Sequence, residues 1–370
     1  MMPVSTVPVP LTSNSYDILV GNQLLENAGE ILRKRFEAHK ILVVTDDQVA
    51  QLYLPRLRKS LAREGYDTSE IIVPAGESSK GFGCFETLVI DMLRNGITRD
   101  SLVVALGGGV VGDLAGFAAS VVLRGVNYIQ VPTTLLAQVD SAVGGKTAIN
   151  TSLGKNLVGS FHQPKLVLAD TSVLDSLPQR ELLAGYAEVV KYGLLGDVQF
   201  FEWLEHNGRS LIGGDAPALD YAVTTCCHAK SGIVSHDERE SGQRLLLNLG
   251  HTFGHALEAE VDFDSRLLHG EAVALGSILA FDLSARLGFC PVSSVKRVRK
   301  HLGDVGLPTA LPIFDDHVWE PERLLEHMTR DKKIRNGRQT LILVRDIGDA
   351  FVYEQKKESE MLEMLQEYVR

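Results

Sequence analysis

Ser101-Leu-Val-Val-Ala-Leu-Gly-Gly-Gly-Val-Val-Gly-Asp113 is the stretch on which the fold turns. Residues 102–106 are all apolar, without the alternation of a half-exposed strand, so they read as a strand buried on both faces of a sheet. Consecutive glycines follow, and Gly107, Gly109 and Gly112 fall at the GxGxxG spacing. Glycine there lets the backbone approach a pyrophosphate, and the next helix offers unpaired N–H groups and the positive end of its dipole. A tight strand-to-helix turn without a ligand accounts for the same glycines. The usual fingerprint also places a carboxylate about 20 residues on, for the ribose, and none stands there. Asp46, at the end of an earlier apolar run, is a candidate for that role. Residues 102–123 carry one charge, Asp113, and five glycines, which reads as a buried strand and helix rather than a membrane span.

Outward from this stretch the chain alternates. Short β-branched runs at 41–45, 70–73, 101–106, 128–131 and 166–169 read as strands, and 48–64 and 82–95 carry apolar residues at helical spacing. The βαβα order predicts a mostly parallel, doubly wound sheet. After Pro178 helical patterns take over, at 181–195, 218–235, 246–261 and 270–287, with late strand candidates only at 340–344 and 350–353. The expected fold is a Rossmann-like, mostly parallel α/β domain over residues 1–180, followed by a mainly α-helical domain over residues 181–370.

A length of 370 residues suits about two domains. Lys and Arg number 37 against 47 Asp and Glu, a net charge of −10, which argues against nucleic acid or an anionic membrane as partner. An apolar fraction of 45% excludes a disordered or low-complexity chain. Cys84, Cys226, Cys227 and Cys290 show no CxxC spacing, and residues 1–16 have no basic stretch leading into an apolar block. A reducing, cytoplasmic setting is expected.

The second half carries the metal-type chemistry. His251-Thr-Phe-Gly-His255 puts two imidazoles on one helix face, His269 and Glu271 open the next apolar segment, and Glu188 lies three residues before Lys191. Histidine nitrogens with one carboxylate oxygen and an open fourth position describe a catalytic zinc-type site. Spacing does not choose the ligands among Glu188, His251, His255, His269 and Glu271. Arg124, Lys146, Lys155, Lys191, Lys230, Arg244, Lys332 and Lys333 stand in apolar or glycine-rich text, which in a net-acidic chain suggests an anion pocket. Gly144-Gly-Lys-Thr147 imitates a P-loop, but Asp140 occupies the position of its first glycine, so a Walker site is not expected.

Together these segments resemble 3-dehydroquinate synthases along nearly the whole chain. The likeness is carried by Gly107-Gly-Gly-Val-Val-Gly-Asp-Leu-Ala-Gly116, Arg124-Gly, Val131-Pro-Thr-Thr-Leu-Leu-Ala, Val139-Asp-Ser-Ala-Val-Gly-Gly-Lys-Thr147, Gly154-Lys-Asn-Leu, Ala187-Glu-Val-Val-Lys-Tyr-Gly193, Asn248-Leu-Gly-His-Thr-Phe-Gly-His255 and Leu268-His-Gly-Glu-Ala. The resemblance implies Glu188, His251 and His269 as ligands of one Zn2+ or Co2+. It implies NAD against Gly76, Glu77, Lys80, Gly108, Gly109, Val110, Val111, Gly112, Asp113, Thr133, Thr134, Lys146 and Lys155, to which the reading of the residues adds Asp46. Lys191, Asp140, Lys146 and His255 become the catalytic candidates. Arg124, Asn156, Lys230, Arg244, Asn248, His255 and Lys332 become the substrate readers, with Lys230 and Arg244 on a carboxylate and Lys333 an alternative to Lys332.

The implied reaction turns 3-deoxy-D-arabino-heptulosonate 7-phosphate, a phosphorylated sugar acid, into 3-dehydroquinate and phosphate. Transient oxidation by NAD, elimination of phosphate, return of the hydride, ring opening and an intramolecular aldol closure regenerate the cofactor. A homodimer is implied too, with Arg124 reaching across its interface. A metal-dependent polyol dehydrogenase, another sugar-phosphate cyclase and a non-catalytic metal or nucleotide binder are the competing readings.

Overall fold

The apolar run 102–106 becomes the inner strand of a sheet. In the computed structural model, residues 4–12, 14–240, 242–330, 334–335, 338–355 and 359–369 are described. The strands are β1 (Ser5–Val9), β2 (Tyr16–Gly21), β3 (Lys40–Asp46), β4 (Asp67–Val73), β5 (Leu102–Gly107), β6 (Asn127–Pro132), β7 (Lys146–Thr151), β8 (Gly154–Phe161) and β9 (Leu166–Asp170). Among the described residues one sheet has seven strands in the order β1-β2-β9-β6-β5-β3-β4. Every pairing in it is parallel except β1 with β2. β7 and β8 form a separate antiparallel ribbon.

Helices α1 (Ala28–Arg35), α2 (Asp47–Arg63), α3 (Phe82–Arg94) and α4 (Gly109–Val121) cover the sheet. Alternate residues of β5 serve the two faces. Leu102, Val104 and Leu106 pack with Leu32 and Leu57, whereas Val103 and Ala105 pack with Leu88, Leu114 and Ala118. That two-sided core is why the run lacks polar alternation.

The second part of the chain holds α5 (Gln179–Gly196), α6 (Val198–Ile212), α7 (Ala216–His236), α8 (His251–Glu260), α9 (His269–Arg286), α10 (Val292–Val305) and α11 (Pro321–Arg330). β10 (Ile334–Arg335), β11 (Arg338–Asp346), β12 (Asp349–Glu354) and α12 (Ser359–Tyr368) complete it. Among the described residues no helix is long and apolar enough to cross a membrane.

The chain divides into two compact units, Met1–Leu177 with Ala216–Arg239, and Pro178–Asp215 with Glu240–Arg370. A single cut at residue 180 therefore misplaces α7, which returns to the first unit. Its Ser231 hydroxyl donates to Pro8 O (2.5 Å) in β1, and its Cys227 thiol donates to Gln138 O (3.4 Å).

The helix expected over 246–261 is also broken. Gln243–Asn248 is a 3₁₀ turn, Gly250 is left-handed (φ 79°), and α8 begins only at His251. The break lets α9 come in close. A Cβ on Gly276 would stand 2.0 Å from Gly250 O, and one on Gly270 would stand 1.9 Å from Ala184 O in α5. Behind α5, burial pushes His301 of α10 down to about 4, so at neutral pH its uncharged ring lies 3.0 Å from the Tyr186 hydroxyl.

Both contacts across α9 are backbone to backbone, so no side chain can swing aside for an added methyl. Gly270→Ala should destabilise the chain by about 1–3 kcal/mol or more and disturb the spacing of α5 and α9. Gly232→Ala in α7, where nothing lies within 4 Å, should be neutral or raise stability by about 0.4–1 kcal/mol. Thermal unfolding of the two variants against the parent checks the contrast.

Candidate active site

In the second unit, Glu188 projects from α5 with no side-chain exposure, and Lys191 Nζ sits 2.5 Å from its Oε2. The i,i+3 spacing on one helix makes this pair local. His251 is the first residue of α8 and His269 the first of α9. His251 Nε2 lies 3.4 Å and His269 Nε2 3.5 Å from Glu188 Oε1. Two ligands bound tetrahedrally at about 2.0–2.1 Å are about 3.3–3.4 Å apart. Both histidine nitrogens thus stand at that spacing from Glu188 Oε1, and the three ligand atoms all lie within 4.8 Å of one another.

The nitrogens facing away from this point are engaged. His251 Nδ1 is 3.1 Å from Leu249 O, and His269 Nδ1 is 2.9 Å from Glu258 Oε2. Burial drives the pKa of His251 well below its ordinary value, favouring the neutral imidazole that a cation needs. Burial opposes a charge on His269 too, but the carboxylates of Glu258 and Glu188 outweigh it and lift its pKa to about 10. The field that favours a positive charge on His269 also favours a cation beside it.

Glu271 stands apart from this cluster. Its carboxylate takes Arg180 Nε and Nη2, each at 2.7 Å, and Leu268 N at 2.8 Å, so it closes the first turn of α9. His255 does join, its ring 5.4 Å from that of His251 and 6.0 Å from that of His269. With Glu258 and His269 it forms a second set whose ligand atoms lie within 4.8 Å. Arg244 is buried in the 3₁₀ turn before α8, and Asn248 donates to Glu240 Oε1 at 2.9 Å.

In the first unit the glycine turn opens α4. Gly108 caps the helix without a side chain, Gly109, Val110 and Val111 form its first turn, and Thr133 N donates to Gly107 O at 3.0 Å. The Thr45, Thr133 and Ser141 hydroxyls are buried without a hydrogen-bond partner among the described residues. Buried polar atoms in that condition fit a polar ligand such as a dinucleotide. Thr134 Oγ1 instead accepts from Ala137 N at 3.2 Å.

Lys80, buried, donates to Asp113 Oδ2 (2.5 Å) and Asn156 Oδ1 (2.6 Å). Burial raises the pKa of Asp113 in spite of that ammonium. Left-handed Gly76 (φ 99°) leads into Glu77, whose carboxylate accepts from Asn150 Nδ2 at 2.7 Å. Asn150 Oδ1 accepts from the backbone of Asn156, itself left-handed at φ 56°. Asn150 thereby links the Glu77–Lys80 turn to the ribbon that carries Lys146, Lys155 and Asn156. Sequence reasoning passed over Asn150, Glu240 and Glu258; only Glu258 left a trace, at i+3 from His255 and i+7 from His251.

Asp140 lies on a π-helical turn, Ala137–Ser141, and its carboxylate and carbonyl both take the ammonium of Lys230. Lys230 thus falls in the first unit and Arg244 in the second. Asp46 caps α2, accepting from Gln48 N (3.0 Å) and Val49 N (2.8 Å) through Oδ1, which gives it a structural task besides the expected one. Lys146 and Arg124 are exposed, Arg124 at φ 68°. Lys332 and Lys333 lie outside the described residues.

The comparisons agree along the chain. The family model described as 3-dehydroquinate synthase N-terminal matches residues 70–184, and the C-terminal one matches residues 185–334. The 3-dehydroquinate synthase of Rhodospirillum rubrum is 52% identical over 362 residues, 98% of this chain and 94% of that one. A 2-epi-5-epi-valiolone synthase from Streptomyces hygroscopicus, solved with NAD+ and Zn2+, is 30% identical with a TM-score of 0.88, covering 97% of this chain and 98% of that one. A 2-deoxy-scyllo-inosose synthase, solved with carbaglucose-6-phosphate, NAD+ and Co2+, is 26% identical with a TM-score of 0.89, covering 98% and 100%.

The geometry separates the two candidate metal sets. Glu188→Ala and His251→Ala should each empty the site of Zn2+ or Co2+, whereas His255→Ala should retain it. Metal content after dialysis, read by atomic emission, checks this: full occupancy in Glu188→Ala would refute the first set.

Proposed function

The chain belongs to the 3-dehydroquinate synthase family, and on that premise we propose that it converts 3-deoxy-D-arabino-heptulosonate 7-phosphate to 3-dehydroquinate and phosphate. The observation that carries the reading is the meeting of Glu188, His251 and His269 at cation-binding distances beside a buried Lys191. These three would hold the divalent metal. Gly108–Asp113, Gly76, Glu77, Lys80, Thr133, Thr134, Lys146, Lys155 and Asp46 would hold NAD. When bound, NAD supplies a hydride acceptor that is regenerated, and the cation polarises substrate hydroxyls as a Lewis acid.

The rest falls to the chain's own side chains. Lys191 Nζ, fixed by Glu188 away from water, stabilises negative charge that develops on a substrate oxygen. Lys146, Asn156, Asn248, His255 and one of Lys332 or Lys333 read the phosphate, and Arg244 reads the carboxylate with its planar fork. Asp140 keeps Lys230 oriented as the second carboxylate reader. NAD binding is assigned to the first unit and metal binding to the second. Arg124, exposed on its strained turn, is assigned to a second copy's site, so the working form is a cytoplasmic homodimer.

Phosphate release from the heptulosonate phosphate with substoichiometric NAD and Zn2+ or Co2+ tests the reading. Phosphate should accumulate far beyond the NAD supplied, with no matching rise in NADH absorbance. NADH formed mole for mole would favour a polyol dehydrogenase instead.

A charge-assisted hydrogen bond contributes about 1.5–3 kcal/mol, roughly ten- to a hundredfold in binding. Arg244→Lys, which loses the bidentate fork, should raise KM for the heptulosonate phosphate by that factor and leave NAD affinity nearly unchanged. Steady-state kinetics with NAD titrated separately decides: unchanged substrate kinetics would refute carboxylate recognition.

A further inference from the structure

We infer that Glu258 is a positioning residue for the metal: it holds His269 in the tautomer and ring orientation that aim Nε2 at the cation. The inference rests on the metal site proposed above and deepens it. Glu258 is buried on α8, at 2% exposure, and a buried carboxylate needs a partner. His269 Nδ1 is one such partner, 2.9 Å from Oε2.

The distances separate orienting from ligating. Ligand atoms on one tetrahedral cation stand about 3.3–3.4 Å apart, which matches the 3.5 Å between His269 Nε2 and Glu188 Oε1. A gap of 2.9 Å is too short for two ligands of one such ion and normal for N–H donating to a carboxylate. With the proton fixed on Nδ1, the Nε2 lone pair faces Glu188 and His251. The carboxylate also makes the ring a stronger donor to metal, as outer partners of ligating histidines generally do. His251 has only the carbonyl of Leu249 in the same place, at 3.1 Å. Of the two imidazoles, His269 is therefore the one whose affinity depends on a charged partner.

The experiment measures Zn2+ affinity by chelator competition in the full chain carrying Glu258→Ala or Glu258→Gln, with Glu188→Ala as control. Circular dichroism establishes that each variant is folded, and near-isosteric Glu258→Gln guards against collapse of the Ala variant. Affinity should fall roughly ten- to a hundredfold in Glu258→Ala. It should recover in part in Glu258→Gln, whose amide oxygen can still accept from Nδ1. The Co2+ absorption bands of Glu258→Gln should keep the parent's pattern, because the ligands are unchanged. In the Zn2+-loaded parent, imidazole 15N shifts should show His269 protonated at Nδ1.

Affinity unchanged in Glu258→Ala would overturn the positioning role. Complete loss of metal from both Glu258 variants, with retention in Glu188→Ala, would make Glu258 a ligand and overturn it as well. Retention in Glu188→Ala alongside the graded loss expected at Glu258 counts against Glu188 as a ligand, while the role of Glu258 stands.

Discussion

The seating of α9 against its two neighbours is the constraint on which the metal-type site depends. Three ligand candidates arrive on three different helices, and a cation tolerates errors of only a few tenths of an ångström in their spacing. Gly270 on Ala184 and Gly276 on Gly250 let backbone touch backbone, which fixes helix separations more tightly than interdigitating side chains would. Each histidine is moreover the first residue of its helix, so it is placed by a helix start rather than by a loop. The positive end of a helix dipole disfavours a cation there. Glu188 and Glu258, both buried, oppose that effect at the same point.

In the first unit the equivalent role falls to the strand order. From β3 the chain moves outward to β4, while β5 and β6 build the sheet in the other direction. The carboxyl ends of β3 and β5 therefore mark a topological switch point, where open α/β sheets leave a crevice for a ligand. Thr45 stands one residue before the end of β3, Gly107 ends β5 and Thr133 follows β6, so the unpartnered hydroxyls and the glycine turn gather at one edge. The ribbon of β7 and β8 is tied to the same edge through Asn150, Lys80 and Asn156, which links NAD candidates with a candidate phosphate reader.

Much of this was legible because the inner strands are buried on both faces. β3, β5 and β9 declare themselves as continuous apolar runs, β6 as one interrupted by Gln130, and the helices by their period. β1 did not, since Pro8 interrupts a short edge strand, and β7 and β8 did not, since their ribbon is half exposed and rich in polar residues. The break at Gly250 hid inside a continuous helical pattern because the close approach that it permits is to Gly276, which local text does not contain. The same holds for the ligand choice. Spacing left five candidates, and the separation of Glu271 from the rest comes from Arg180, 91 residues away. Glu258 lay in plain view on the histidine face, but an acid in an amphipathic helix ordinarily reads as solvated.

Charge accounts for how an acidic protein can take an anionic substrate. Glu188 and Glu258 carry two negative charges in the buried cluster, Lys191 one positive, and His251 is kept neutral by burial. The cluster alone is thus short of one positive charge, a deficit that His269 meets by holding a proton. A divalent cation on Nε2, in exchange for that proton, leaves the cluster with one positive charge in excess. A net charge of −10 spread over the whole chain is compatible with this, because at physiological salt exposed charges are largely screened beyond about 8 Å while buried ones are screened much less. The local excess of positive charge, rather than the overall balance, is what a phosphorylated sugar acid would meet.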